Sequence, residues 1–154
     1  MIPSTRYKYI EKVIYSYPTN KELLDGYEQE LEYLEGHGDL KVQSYNESTN
    51  GGDVPDRVLD YVHRKQVIER RIERLNMEIG AVEEVLHQID MEDDEHAIKL
   101  YAVLQGIYFG SGVVMITLLG IEEHEVKGLR HELVNRVNRK LKVYERKKLR
   151  DTAK

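Results

Sequence analysis

Cysteine is absent from the chain, which excludes disulfides and thiolate metal sites and leaves no sign of export. Proline is scarce, with three residues, and Phe109 is the single phenylalanine. Long apolar runs are missing too. The most apolar stretch, Val113 to Ile121, is far below the ~20 residues that cross a bilayer. Residues Met1 to Lys12 are polar and lack the apolar segment of a signal peptide, so a cytoplasmic location is expected. What the chain has instead is charge and tyrosine. Charged residues make up 33% of its 154 residues, a share usual for long solvated helices. Eleven tyrosines suit surfaces and interfaces better than deep cores. The length allows one domain with a modest core, or a small unit with an extended helical arm.

The net charge of −5 is unevenly spread. Residues 127–154 carry eleven Lys and Arg against three acids, a net of +8, which leaves −13 on residues 1–126. A basic C-terminal end on an acidic body steers that end toward a polyanion and repels the other.

The periodicity predicts an all-α chain. A first short helix spans residues 5–16, with Tyr9, Val13 and Tyr17 on one face, and Tyr17-Pro18-Thr19-Asn20 breaks it. A second runs from about Lys21 to Glu35 on Leu23, Leu24, Tyr27, Leu31 and Leu34, and Gly36-His37-Gly38 ends it. The turn-rich residues 36–53 read as a loop. Asp53, Pro55 and Asp56 are suited to start a third helix. Its stripe is Val54, Val58, Tyr61, Lys65, Ile68, Ile72, Leu75, Ile79, Val82, Leu86 and Ile89, with steps of three and four and ten of eleven positions apolar. Such a helix is roughly 50 Å long and needs a partner helix, from its own chain or from a second copy. Pairing of copies through residues 54–89 would use Ile68, Ile72, Leu75, Ile79, Val82 and Leu86; the alternative is a hairpin within one chain. Three regions follow: a helical pair with its loop at 1–53, the heptad helix at 54–90 and a C-terminal unit at 91–154.

In that last unit, the acidic turn Asp90 to Glu95 starts a fourth helix reaching about Tyr108, with Ile98, Tyr101, Leu104 (or Val103) and Tyr108 as its apolar face. Gly110-Ser111-Gly112 breaks the chain and Ser111 is placed to cap a short helix, Val113 to Leu119. Gly120 allows a sharp turn between Leu119 and Ile121. A final helix follows from Glu122, with Val126, Leu129, Leu133, Val137, Leu141 and Tyr144 inward. This is the layout of a helix-turn-helix, whose second helix lies in the DNA major groove. The basic stretch Arg136 to Lys148 then neutralises phosphates.

The block Ile89-Asp90-Met91-Glu92-Asp93-Asp94, Ile98-Lys99-Leu100-Tyr101 and Met115-Ile116-Thr117-Leu118-Leu119-Gly120-Ile121 resembles a sigma-factor region 4 helix-turn-helix. With Tyr9, Tyr17-Pro18, Gly51-Gly52 and the long helix before it, the order of features resembles the ArpU/RinA-type regulators of phage late genes. The resemblance implies a transcription activator in a bacterial host cell that binds double-stranded promoter DNA and touches RNA polymerase. It places His124, Lys127, Arg130 and His131 on the exposed side of the recognition helix, with Arg136, Arg139 and Lys140 beyond. Glu122, Glu123 and Glu125 stand where such motifs usually carry Ser, Thr or Arg, and carboxylates repel phosphate.

Nothing points to catalysis. No serine or histidine sits in a nucleophile motif, and Gly51-Gly52 has no P-loop lysine after it. Glu84 and His87 have the Glu-x-x-His spacing of di-iron bundles but lie off the heptad stripe, so they should face solvent and no metal or cofactor is expected. Two other readings stand beside the regulator. One is a coiled-coil adaptor or assembly protein without nucleic acid, which the acidic start of the last helix favours. The other is a DNA-packaging subunit of the small-terminase kind, which would form a closed ring.

Overall fold

The computed structural model describes the backbone of residues 2–47 and 53–152, and their side chains apart from 37–47 and 53–57. The helical capping expected of Asp53, Pro55 and Asp56 and the Gly51-Gly52 loop lie outside the described residues. Every regular element described is helical. In chain order they are α1 (Ser4–Tyr15), α2 (Tyr17–Glu47), α3 (Asp53–Glu92), α4 (Glu95–Val103) with a π-helical turn at Leu104–Tyr108, α5 (Val114–Leu118) and α6 (Glu123–Thr152). No described helix is long and apolar enough to cross a membrane.

Two compact units divide the chain: residues 1–20 with 77–154, and residues 21–76. The boundaries fall inside α2 and α3 rather than in loops. The first helix belongs to the same unit as α4, α5 and α6.

In the first unit, α1 and α4 pack on α6, and the C-terminal part of α3 completes the core. Ile10, Ile14, Val82, Val85, Leu100, Val103, Leu104, Leu133, Val134, Val137 and Leu141 are fully buried. Each such side chain contributes roughly 1.5–3 kcal/mol of burial. The inward face of α6 is the one its periodicity predicts. Those of α1 and α4 are partly shifted. On α1 the buried residues are Ile10, Val13 and Ile14, with Tyr9 at the edge donating to Glu78 at 2.6 Å. On α4 they are Ala97, Leu100, Ala102 and Val103, whereas Ile98 and Tyr101 are exposed. Leu100 and Val103 are fully buried with Ala97 and Ala102 beside them, and this face leaves Ile98 and Tyr101 outside.

The breaks also differ. Only Ser16 separates α1 from α2, and Pro18 sits in the first turn of α2, where a missing N–H costs nothing. The expected stop at Gly36-His37-Gly38 does not occur, and α2 continues to Glu47. Glycine ends a helix when it turns left-handed, and the described glycines that do so are Gly110, Gly112 and Gly120. Asp93, with φ 42°, is the hinge between α3 and α4, and Asp94 caps α4 by accepting from the Ala97 N–H at 2.7 Å.

In the second unit, α2 and α3 run antiparallel. Arg64 donates to Glu30 at 2.7 Å, Lys65 lies 3.8 Å from Glu35, and the Arg71 guanidinium covers the Tyr27 ring. Lys65, the one polar position of the stripe, is half-buried and reaches this carboxylate. Ile68 and Leu75 are buried in the chain. Ile79 and Val82, in the first unit, are buried as well, and Ile72 and Leu86 are half-covered. The stripe thus finds much of its cover within one chain. Glu84 and His87 are exposed, as their place off the stripe requires.

Candidate nucleic-acid interface

The turn from α5 into α6 is built by backbone hydrogen bonds. Gly120, with φ 66°, takes the left-handed conformation. Its N–H donates to the Thr117 carbonyl and the Ile121 N–H to the Ile116 carbonyl, both at 3.1 Å. This double closure ends α5 in a Schellman motif, and Ile116 and Ile121 are both buried, as the motif prefers. Ser111 does not cap α5. Its hydroxyl donates to the Gln105 carbonyl at 2.8 Å, which fastens the loop to the π-helical turn instead. The same loop approaches so closely that a Cβ on Gly106 would stand 2.8 Å from the Gly112 carbonyl oxygen.

On α6 the predicted contact residues separate into two groups. Arg130 and Arg136 are already engaged. Arg130 donates to Glu11 at 2.8 Å, and the Tyr108 hydroxyl donates to the same carboxylate at 2.7 Å. Burial pushes the Tyr108 phenol well above its ordinary value, the Glu11 carboxylate adds to the rise, and the Arg130 guanidinium opposes it. The hydrogen bonds to Tyr108 and Glu11 hold the Arg130 guanidinium still more firmly charged. Arg136 is only 14% exposed and bridges Glu92 at 3.0 Å and Glu132 at 3.2 Å. Glu132 in turn meets His96 at 2.9 Å. These two arginines join α1, the π-helical turn and α3 to α6, and phosphate would have to displace carboxylates to reach them.

The second group faces outward. His124, Lys127, His131 and Arg139 are exposed, and Lys140 is half-buried beside Gln88. His124 meets Glu122 at 3.2 Å, and the His131 ring lies 5.1 Å from the Tyr7 ring. Exposed residues at steps of three and four then run His124, Lys127, His131, Asn135, Arg139, Lys142 and Arg146. Lys142, Arg146 and Lys147, within the basic stretch Arg136 to Lys148 expected to meet phosphates, are exposed here, and Lys142 and Arg146 share the helical register of Arg139. Lys127, Arg139, Lys142, Arg146 and Lys147 make no ion pair among the described residues.

The N-terminal end of α6 is different in kind. Ligand atoms of Glu122, His124 and Glu125 lie within 4.8 Å of one another, and Glu125 also pairs with Lys99 at 3.2 Å. The exposed surface along α6 therefore passes from acidic at Glu122 and Glu123, ahead of the stripe, to strongly basic beyond Asn135. Compared with family models, curated proteins and solved structures, the chain matches none.

Proposed function

We propose that the chain binds duplex DNA through the outer face of α6, as a transcription regulator of the phage late-gene kind that its sequence resembles. The observation that carries this reading is the outward stripe of cations, Lys127, Arg139, Lys142 and Arg146, in one helical register and without carboxylate partners among the described residues. Such a row follows a phosphate backbone, and each neutralised phosphate releases counterions. The turn at Gly120 and the buried Ile116 and Ile121 support a helix-turn-helix use of α5 and α6. His124, Lys127 and His131 are then the groups nearest the bases, and RNA polymerase is the further partner that the resemblance implies. Two copies would share a site through the half-covered stripe residues of α3, Val58, Tyr61 and Ile72.

The test is anisotropy of a labelled generic duplex titrated with protein over a salt series. With about four phosphate contacts, log affinity should fall against log salt with a slope of about −3 to −4. The triple change Lys142→Glu, Arg146→Glu and Lys147→Glu, all at exposed positions, should abolish binding while the helical signal stays. Arg130 is left intact because its loss strips a carboxylate inside the fold. No binding at low salt would reject the reading. One observation favours the adaptor instead: Glu122, 70% exposed at the start of α6, presents a carboxylate where bases would be read.

A further inference from the structure

The five-residue helix α5 exposes more apolar surface than it buries. Val113, Val114, Met115, Leu118 and Leu119 are all exposed, Leu118 at 74%, while Ile116 alone turns into the core. Monomeric proteins rarely leave contiguous large apolar side chains in water without a use for them. The patch runs directly into Glu122 and Glu123, both exposed, so its rim on that side is acidic.

The far end of the same unit carries the complementary surface. Beyond Glu145 every described residue of α6 is exposed. Leu149, 69% exposed, follows Arg146 by three residues and Lys142 by seven, so it shares their face. An apolar side chain framed by cations matches an apolar patch framed by acids. The two surfaces cannot meet in one molecule. They flank a single helix of 30 residues, about 45 Å long.

We propose that the α5 patch of one molecule receives the C-terminal turns of α6 from a second copy, in a head-to-tail contact. Charge selects this geometry over a two-fold pairing of α5 with α5, which would set Glu122 and Glu123 against their own copies. Each molecule keeps one free patch and one free tail, so the contact repeats into a ring or a filament. It stands without any role for DNA, and DNA would compete with the patch for the tail.

Light scattering on the full chain without DNA, across protein concentration and salt, tests the contact. The mean mass should rise with concentration, and rise less at high salt. Leu118→Lys blocks the patch and Leu149→Lys blocks the tail; both sites are exposed, so the fold is kept. Each variant alone should need at least about ten-fold more protein to associate, the loss of one buried leucine. Mixed in equal amounts, they retain one intact patch and one intact tail between them. The mixture should therefore form a single joint, one Leu118→Lys molecule to one Leu149→Lys molecule, and stop there. Any pairing through α3 persists in each variant alone, so the joint is read as the rise of the mixture above that baseline. A monomer's mass at every concentration, association undiminished in either variant, or a mixture that behaves as its separate parts would each overturn the proposal. Retained salt-dependent association with no DNA binding would reject the regulator and leave the head-to-tail contact standing.

Discussion

Tyr108 shows how a single polar residue is fixed between helices. Its ring lies 4.6 Å from the Tyr15 ring, and its hydroxyl donates to Glu11 beside Arg130. Removing Glu11 leaves a phenol and a guanidinium competing for water at a half-buried site, a cost of about 1–3 kcal/mol. The raised pKa of Tyr108 has a direction in pH. The unfolded phenol ionises first, near its ordinary 10.0, so the stability tied to the neutral phenol is full below that pH and falls as pH rises above it. Urea unfolding at pH 8 and at pH 10.5 should therefore show a smaller alkaline loss in Tyr108→Phe than in the parent chain. Equal losses would mean that Tyr108 ionises alike in both states. Tyr108 was legible as an inward residue from its spacing. Its partner was not, because Glu11 is 97 positions away and no local pattern joins them.

At the scale of elements, glycine separates positions that sequence alone treats alike. Gly106 and Gly128 both interrupt helical stretches. A methyl group at Gly106 meets a backbone carbonyl at 2.8 Å, which must shift, whereas one at Gly128 meets nothing within 4 Å. Gly106→Ala should lower the thermal midpoint, and Gly128→Ala should raise it, with about 0.5–1 kcal/mol gained from helix propensity. Scanning calorimetry of the two variants checks the opposite signs. If Gly128→Ala also weakens DNA binding, the α6 backbone at that point approaches the duplex closely. The helices themselves were readable from spacing, α6 most fully, since its inner stripe is regular. The shifted face of α4 was not, because Ile98 and Tyr101 have the same period as the residues that are buried. Only the packing against neighbouring elements, which buries Leu100 and Val103 with Ala97 and Ala102, decides between the two faces.

For the whole molecule, the two units differ in how they are held. Residues 77–141 contribute most of the fully buried side chains, whereas the described part of 21–76 buries Ile68 and Leu75 and otherwise relies on pairs such as Arg64 with Glu30. Exposed ion pairs are worth about 0–1 kcal/mol. Amide exchange should therefore be faster through α2 and the N-terminal half of α3 than through α6 up to Leu141. Uniform protection would show that a second copy covers the hairpin and supplies the missing burial.

Sequence by itself determined the helical class, the inward face of α6, the place of the turn at Gly120 and the basic end. These rest on local rules: helical period, the left-handed freedom of glycine and the sum of charges. Tertiary structure alone decided which cations are free. Arg130 and Arg136 look like Lys127 and Arg139 in the sequence, yet the first two are bound to Glu11, Glu92 and Glu132. It also decided that α1 packs with α6 and that α5 leaves its apolar side in solvent. The reason is common to all three. Pairing and burial depend on which distant segments arrive at a surface, and a helical stripe specifies that it must be covered without naming what covers it.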